Sequence, residues 1–148
     1  MSLYGFRRSG VTMAAGADVW AIITAANRRA ELWQADIKGN GGTSAAAGDM
    51  EAKFGRCTAP TGGAPTTITT GKEDPDAPAA ASTCAFGHTT PSATFLGELM
   101  LGGNYYSGLN RWLARARGEI KARNGEAISL QQVTGTGSAS FGTLFDEI

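Results

Sequence analysis

The residues best suited to chemistry are few: one histidine, His88, two cysteines, Cys57 and Cys84, and an acidic run, Glu73-Asp74-Pro75-Asp76. A structural zinc site takes four Cys or His ligands, so this inventory cannot close one within a single chain. A Ser-His-Asp triad would have to use His88, and no G-x-S-x-G elbow accompanies it. The neighbours of His88 do not mark it as a base, so it reads as a surface or rim imidazole. Glu73, Asp74 and Asp76 offer the oxygen ligands calcium prefers, but not in an EF-hand pattern. Among prolines they read as a solvated loop tip. Gly71-Lys72 resembles the end of a phosphate loop, yet Thr66 stands where its first glycine belongs and Glu73 where its Ser/Thr belongs. Gly135-Thr-Gly137 lacks the helix that dinucleotide binding needs. The expectation is a protein with no catalytic residues, no cofactor and no metal.

Cys57 and Cys84 both lie in stretches that read as strands. If those strands pair, a disulfide is within reach; otherwise the two are buried thiols, the ordinary fate of cysteine.

The basic residues have a sharper pattern. Arg111, Arg115, Arg117, Lys121 and Arg123 place five of the 13 cations in one short segment, with Glu119 as local offset. They read either as a charged strand face or as a patch that meets an acidic partner. Nucleic acid is disfavoured: 13 Lys+Arg balance 13 Asp+Glu, without the basic excess such binders carry. Tyr105-Tyr106 in a polar loop could stack on a glycan.

These residues must be positioned by strands. At 148 residues the chain is one domain by length, and Ala, Gly, Ser and Thr make up close to half of it. β-Rich composition at Val19–Thr24, and alternation or strand-like composition at Ala30–Lys38, Met50–Thr58, Thr83–His88, Phe95–Leu101, Ala127–Val133 and Ser138–Phe145, mark strands. In Ala30–Lys38 the alternation puts Leu32, Gln34 and Asp36 on one face and Trp33, Ala35 and Ile37 on the other. Residues 59–82 hold four of the five prolines and read as a long loop with a short edge strand at Thr66–Thr70. Some eight short strands divided by Gly turns indicate an all-β, single-domain β-sandwich or jelly roll.

Two segments resist this reading. Residues 1–17 lack a clear period and read as an extended N-terminal arm, leaving 18–148 as the β-sandwich domain. The arm's Tyr4, Phe6, Arg7 and Arg8 would then contact a neighbour, and its removal would leave the domain folded. In 109–123, Leu109, Trp112, Leu113, Ala116 and Ile120 fit a helical stripe. Gly118 inside it and the β-rich surroundings favour two short strands, Arg111–Ala114 and Glu119–Arg123.

No apolar run approaches the ~20 residues that span a membrane. Arg7-Arg8 imitates the start of a signal peptide, but Gly10, Gly16 and Asp18 interrupt the mildly apolar stretch after it. The expectation is synthesis in the cytoplasm, with the final location reached by assembly and no membrane partner.

Several segments together carry a resemblance: Phe6-Arg7-Arg8-Ser-Gly-Val-Thr, Asn27-Arg28-Arg29-Ala30-Glu-Leu-Trp33, the Pro/Thr loop ending Pro78-Ala-Ala-Ala-Ser82, Arg111-Trp112, and Gly118 to Leu130. The chain resembles small β-sandwich virion proteins of tailed bacteriophages, namely capsid decoration (cement) proteins and related head and tail accessory proteins. The resemblance implies a structural role in the virion with no catalytic residues, the major capsid protein as partner, and a homotrimer, or second a dimer. It also implies two strands joined by a turn over Gly118–Leu130. Ala114-Arg-Ala-Arg117 departs from the more Pro/Gly-like segment expected there. Contact would fall to Tyr4, Phe6, Arg7, Arg8, Arg111, Arg115 and Arg117. The alternative role within the resemblance is a head-fibre or tail accessory protein that binds a glycan or receptor.

Overall fold

The computed structural model describes residues 2–12, 14–40, 49–91, 94–104, 109–134 and 137–148. Among them, period-two alternation and the turns between produce twelve strands: β1 (Leu3–Thr12), β2 (Asp18–Ile23), β3 (Arg29–Gly39), β4 (Asp49–Thr58), β5 (Thr66–Thr67), β6 (Gly71–Lys72), β7 (Thr83–Phe86), β8 (Phe95–Asn104), β9 (Leu109–Leu113), β10 (Lys121–Arg123), β11 (Glu126–Thr134) and β12 (Ser138–Glu147). The protein is all-β, as its sequence indicates. One antiparallel sheet runs β10-β3-β12-β1-β6, with β9 also on β3; the other runs β5-β7-β2-β11-β4-β8. They face each other as a sandwich.

The inward side chains form one core. Tyr4, Phe6, Phe141 and Phe145 come from the first sheet, Trp20, Ile22, Phe54, Ile128 and Leu130 from the second. Phe6 meets Trp20 edge-on at 5.9 Å and Phe145 at 6.4 Å, while Tyr4 lies 5.5 Å from Phe145. Further along, Phe54 meets Trp112 at 5.3 Å.

The expected N-terminal arm is not an arm. Leu3–Arg8 pair with Phe141–Asp146 of β12, and Tyr4 and Gly5 pair on their other side with β6. Residues 3–12 therefore belong to the sandwich domain. Leu3-Tyr4-Gly5-Phe6 is a short alternation: Tyr4 and Phe6 turn inward and are buried, and the Tyr4 hydroxyl donates to the Pro78 carbonyl at 2.9 Å. Apolar residues spaced by two beside a long edge gain more from joining the sheet than from reaching outward.

One other local expectation changes, and the preference for two strands over a helix in 109–123 holds. β3 carries a bulge: Gln34 faces Leu144 and Leu32 faces Phe145, so Trp33 has no opposite residue. The extra residue shifts the alternation, so Leu32, Ala35 and Ile37 all enter the core and Asp36 faces outward. The Trp33 carbonyl accepts from Ala114 N, and Leu32 N donates to the Ile120 carbonyl. Those bonds anchor the connection between β9 and β10, both on one edge of β3. Between them, Gly118 takes φ of 76°, a left-handed conformation that no α-helix continues through. Residues 109–123 are therefore two strands and a loop, not a helix.

Because β1 is an inner strand, deleting residues 2–12 should abolish the cooperative thermal transition followed by circular dichroism. A truncated chain that melts like the full one would contradict this placement.

Candidate functional site

The basic run of 111–123 meets carboxylates supplied from elsewhere in the chain. Arg111 on β9 lies opposite Asp36 on β3, and its guanidinium donates to both Asp36 oxygens, at 2.8 and 3.2 Å. This hydrogen bond, with the attraction between the charges, raises the Arg111 pKa further above its ordinary value. Gln34 also donates to Asp36, at 2.7 Å. The carboxylate leans over Gly142, where a Cβ would come within 3.2 Å of it.

One step along the same face, Lys121, Glu31 and Asp146 form a row across β10, β3 and β12. The Glu31 and Asp146 carboxylates are almost fully buried, and Arg117 closes over both at 3.2 and 3.5 Å. Lys121 reaches Glu31 at 2.6 Å, and the Ser2 amide donates to Asp146 at 2.9 Å. Arg123 pairs with Glu126 at 3.4 Å, and Glu119 accepts from the backbone N–H of Arg115 at 2.8 Å. Four of the five cations in the run thus have carboxylate partners within the chain. The segment is mostly a neutralised strand face rather than a free patch for an acidic partner. Sequence reasoning missed Glu31, Asp36 and Asp146 because they lie far along the chain from the arginines they hold.

The expected contact residues separate. Tyr4 and Phe6 lie in the core and present no surface. Arg8 is half-buried with its guanidinium over the Phe86 ring, 3.2 Å from the centroid, and donates to the Val19 carbonyl. Burial lowers its pKa, and Asp18 nearby opposes that shift. Arg7, Arg111, Arg115 and Arg117 remain at the surface.

His88 is not a rim imidazole. It is buried with Asp18, Nδ1 lying 2.6 Å from Asp18 Oδ2. The other carboxylate oxygen accepts the backbone N–H groups of Gly87 and His88 at 3.1 and 3.2 Å. A histidine–aspartate pair is two parts of a hydrolytic triad. The adjoining cavity, about 260 Å³, is lined by Arg8, Thr12, Phe86 and Gln132 among others, with no serine or cysteine in its lining. The pair fastens the end of β7 to the start of β2.

Cys57 and Cys84 are both buried thiols in no disulfide. β2 and β11 lie between their strands, about three strand spacings or ~14 Å, so they cannot bridge. Burial pushes the Cys84 thiol up from an ordinary 9.0 to about 12, with Glu147 adding to the shift. In the acidic tip, Asp74 accepts the Asp76 amide at 2.9 Å, and Lys72 donates to the Pro75 and Ala77 carbonyls. No group of three metal-ligating side chains occurs among the described residues. Tyr105-Tyr106 lie outside the described residues.

What the surface presents instead is apolar. On β9, Trp112 points inward while Leu109 and Leu113 flank Arg111 on the outer face, 52% and 55% exposed. Beside Leu109 runs an open groove of about 460 Å³, lined by Arg7, Asp36, Lys38, Ser140 and Gly142. On β8, Leu96, Leu99 and Met100 are 46%, 40% and 52% exposed. The run Phe-Leu-Gly-Glu-Leu-Met-Leu carries apolar residues on both faces of one strand, a signal in the sequence that one-face alternation alone overlooks.

Compared with protein families, with curated proteins and with solved structures, the chain matches none.

Two outcomes test this arrangement. Cys84 should stay unlabelled by a thiol reagent at pH 8 until denaturant is added; rapid native labelling would contradict its burial. Its folded pKa lies above its unfolded one, so the unfolded chain loses this proton first. The resulting loss of stability should begin as pH rises past about 9 and grow towards 12. Separately, Arg117→Met uncovers two buried carboxylates and should cost about 1–3 kcal/mol in urea unfolding; an unchanged midpoint would contradict the bridge.

Proposed function

We infer that the protein is a virion structural component, a decoration or cement protein that binds the outside of a phage head and ties neighbouring capsid subunits together. The observation that carries this reading is the outer face of β9, where Leu109 and Leu113 stand more than half exposed on either side of Arg111. A solvent-exposed apolar pair framing a held guanidinium has the composition of an interface: apolar contacts for affinity, a fixed charge for register. Arg7, Lys38 and the adjoining groove extend the same face, and Arg115 lies beyond Leu113. The partner that fits is the major capsid protein, presented many times over on a shell, so modest contacts add through multivalent attachment.

The strand order supports the same reading. β1-β12-β3-β9 lie in one sheet and β2-β11-β4-β8 in the other, an order that fits the jelly-roll reading of the sandwich. That architecture recurs in viral capsid and lectin domains. Fold alone does not decide between them, and the glycan-binding alternative rests in part on Tyr105-Tyr106, which lie outside the described residues. The resemblance to phage decoration proteins weighs towards the capsid.

The test is co-sedimentation with capsids assembled without the protein. The full chain should pellet with the shells, and Leu109→Asp together with Leu113→Asp should weaken binding at least about tenfold while the melting temperature holds. Failure of the unaltered chain to bind, or unchanged binding by the double variant, would overturn the reading.

A further inference from the structure

The four outer margins of the two sheets are not alike. β5 and β6 are two residues each. β9 and β10 are short, divided by a loop, and carry Arg111, Lys121 and Arg123. Shortness, interruption and charge are devices that keep edge strands from pairing with other chains. β8 is neither short nor interrupted, and its pairing with β4 is regular apart from one bulge at Leu96. It is ten residues long, pairs with β4 on one side, and has no strand on its other side among the described residues. It contains no lysine, arginine or proline. Its one charge, Glu98, lies 3.9 Å from Lys53 of β4.

We propose that the free edge of β8 pairs antiparallel with β8 of a second copy, joining the two β8-containing sheets into one across a twofold axis at Leu99. The sequence of β8 is complementary to itself about that residue. In this register Leu99 meets Leu99 of the second copy, Glu98 meets Met100, Gly97 meets Leu101, and Leu96 meets Gly102. Each of these glycines thus lies opposite a leucine, with open space beside Gly97, and no like charges stand directly opposite. A register centred on Glu98 would set two carboxylates face to face, an unfavourable pair.

The occupant is a second copy because the match is internal to the strand. The chain's formal net charge of zero also puts no net repulsion in the way of self-association. An isologous pair of this kind closes at two copies, which favours the dimer over the trimer. The pairing leaves the outer face of β9 available and stands whether or not that face binds a capsid.

The charge pattern supplies the test. Met100 lies opposite Lys53 within its own chain and opposite Glu98 of the second copy. Met100→Glu therefore complements Lys53 internally but repels Glu98 across the axis; Met100→Lys does the reverse. Light scattering on the purified chain should give about twice its 15.3 kDa mass. Met100→Glu should weaken the dimer about tenfold, from two repulsive contacts, with the melting temperature held. Met100→Lys should keep it. Leu99→Cys should cross-link to a covalent dimer under mild oxidation, since Cys57 and Cys84 are buried and do not compete. A monomer at millimolar concentration, a trimer, or a dimer that neither responds to Met100→Glu nor cross-links through position 99 would overturn the proposal.

Discussion

The pairing of the two chain ends, β1 against β12, is the constraint on which the rest of the sandwich depends. It joins Leu3 to Asp146 and Thr12 to Ser138 and turns Tyr4 and Phe6 into the core beside Phe145 and Trp20. Once β12 is held between β1 and β3, Asp146 sits beside Glu31 and Gly142 beside Asp36. The outer face of that sheet then acquires its carboxylates, and the arginines of the β9–β10 connection have somewhere to fold. Such pairing closes almost the whole chain as a loop, so its entropy cost must be offset by burial. The aromatic cluster of Tyr4, Phe6 and Phe145 supplies that burial.

The second consequence is electrostatic. Two almost fully buried carboxylates, Glu31 and Asp146, would be costly alone. Arg117 and Lys121 neutralise them from above, so the ion pairs fix the position of the 114–120 loop. Asp36 fixes Arg111 in the same way. Charge on this face is thus largely consumed in holding the edge of the sheet, and Leu109 and Leu113 are left as its prominent side chains. The buried His88–Asp18 pair belongs to the same logic, a polar clasp at a strand end.

Much of the fold was legible because period-two alternation is a local signal. β2, β3, β4, β7, β8, β11 and β12 fall within a few residues of where apolar spacing and β-rich composition put them. The bulge at Trp33 was not legible, because an unpaired residue is defined by the partner strand, and its effect was to move Leu32 from the face of Gln34 and Asp36 to the core face of Ala35 and Ile37. β1 was overlooked because its alternation is only four residues long before the two arginines and Gly10. The partners of Arg111 and Arg117 were hidden for a different reason: charge complementarity across a sheet depends on register, and Asp36 and Asp146 are far from them in sequence. His88 and Asp18 are likewise 70 residues apart. The apolar character of β8 was present in its composition, yet only the sheet order reveals that no strand pairs with its outer edge among the described residues.

On this reading the protein works at its surface, along β8 and β9, rather than in a reactive pocket. The most direct measurement is amide hydrogen exchange across the full chain, free and bound to capsid shells. Binding through β9 predicts added protection in peptides spanning residues 109–115, with no change around Gly87 and His88. Protection that spares β9, or that concentrates around His88 and Asp18, would contradict it.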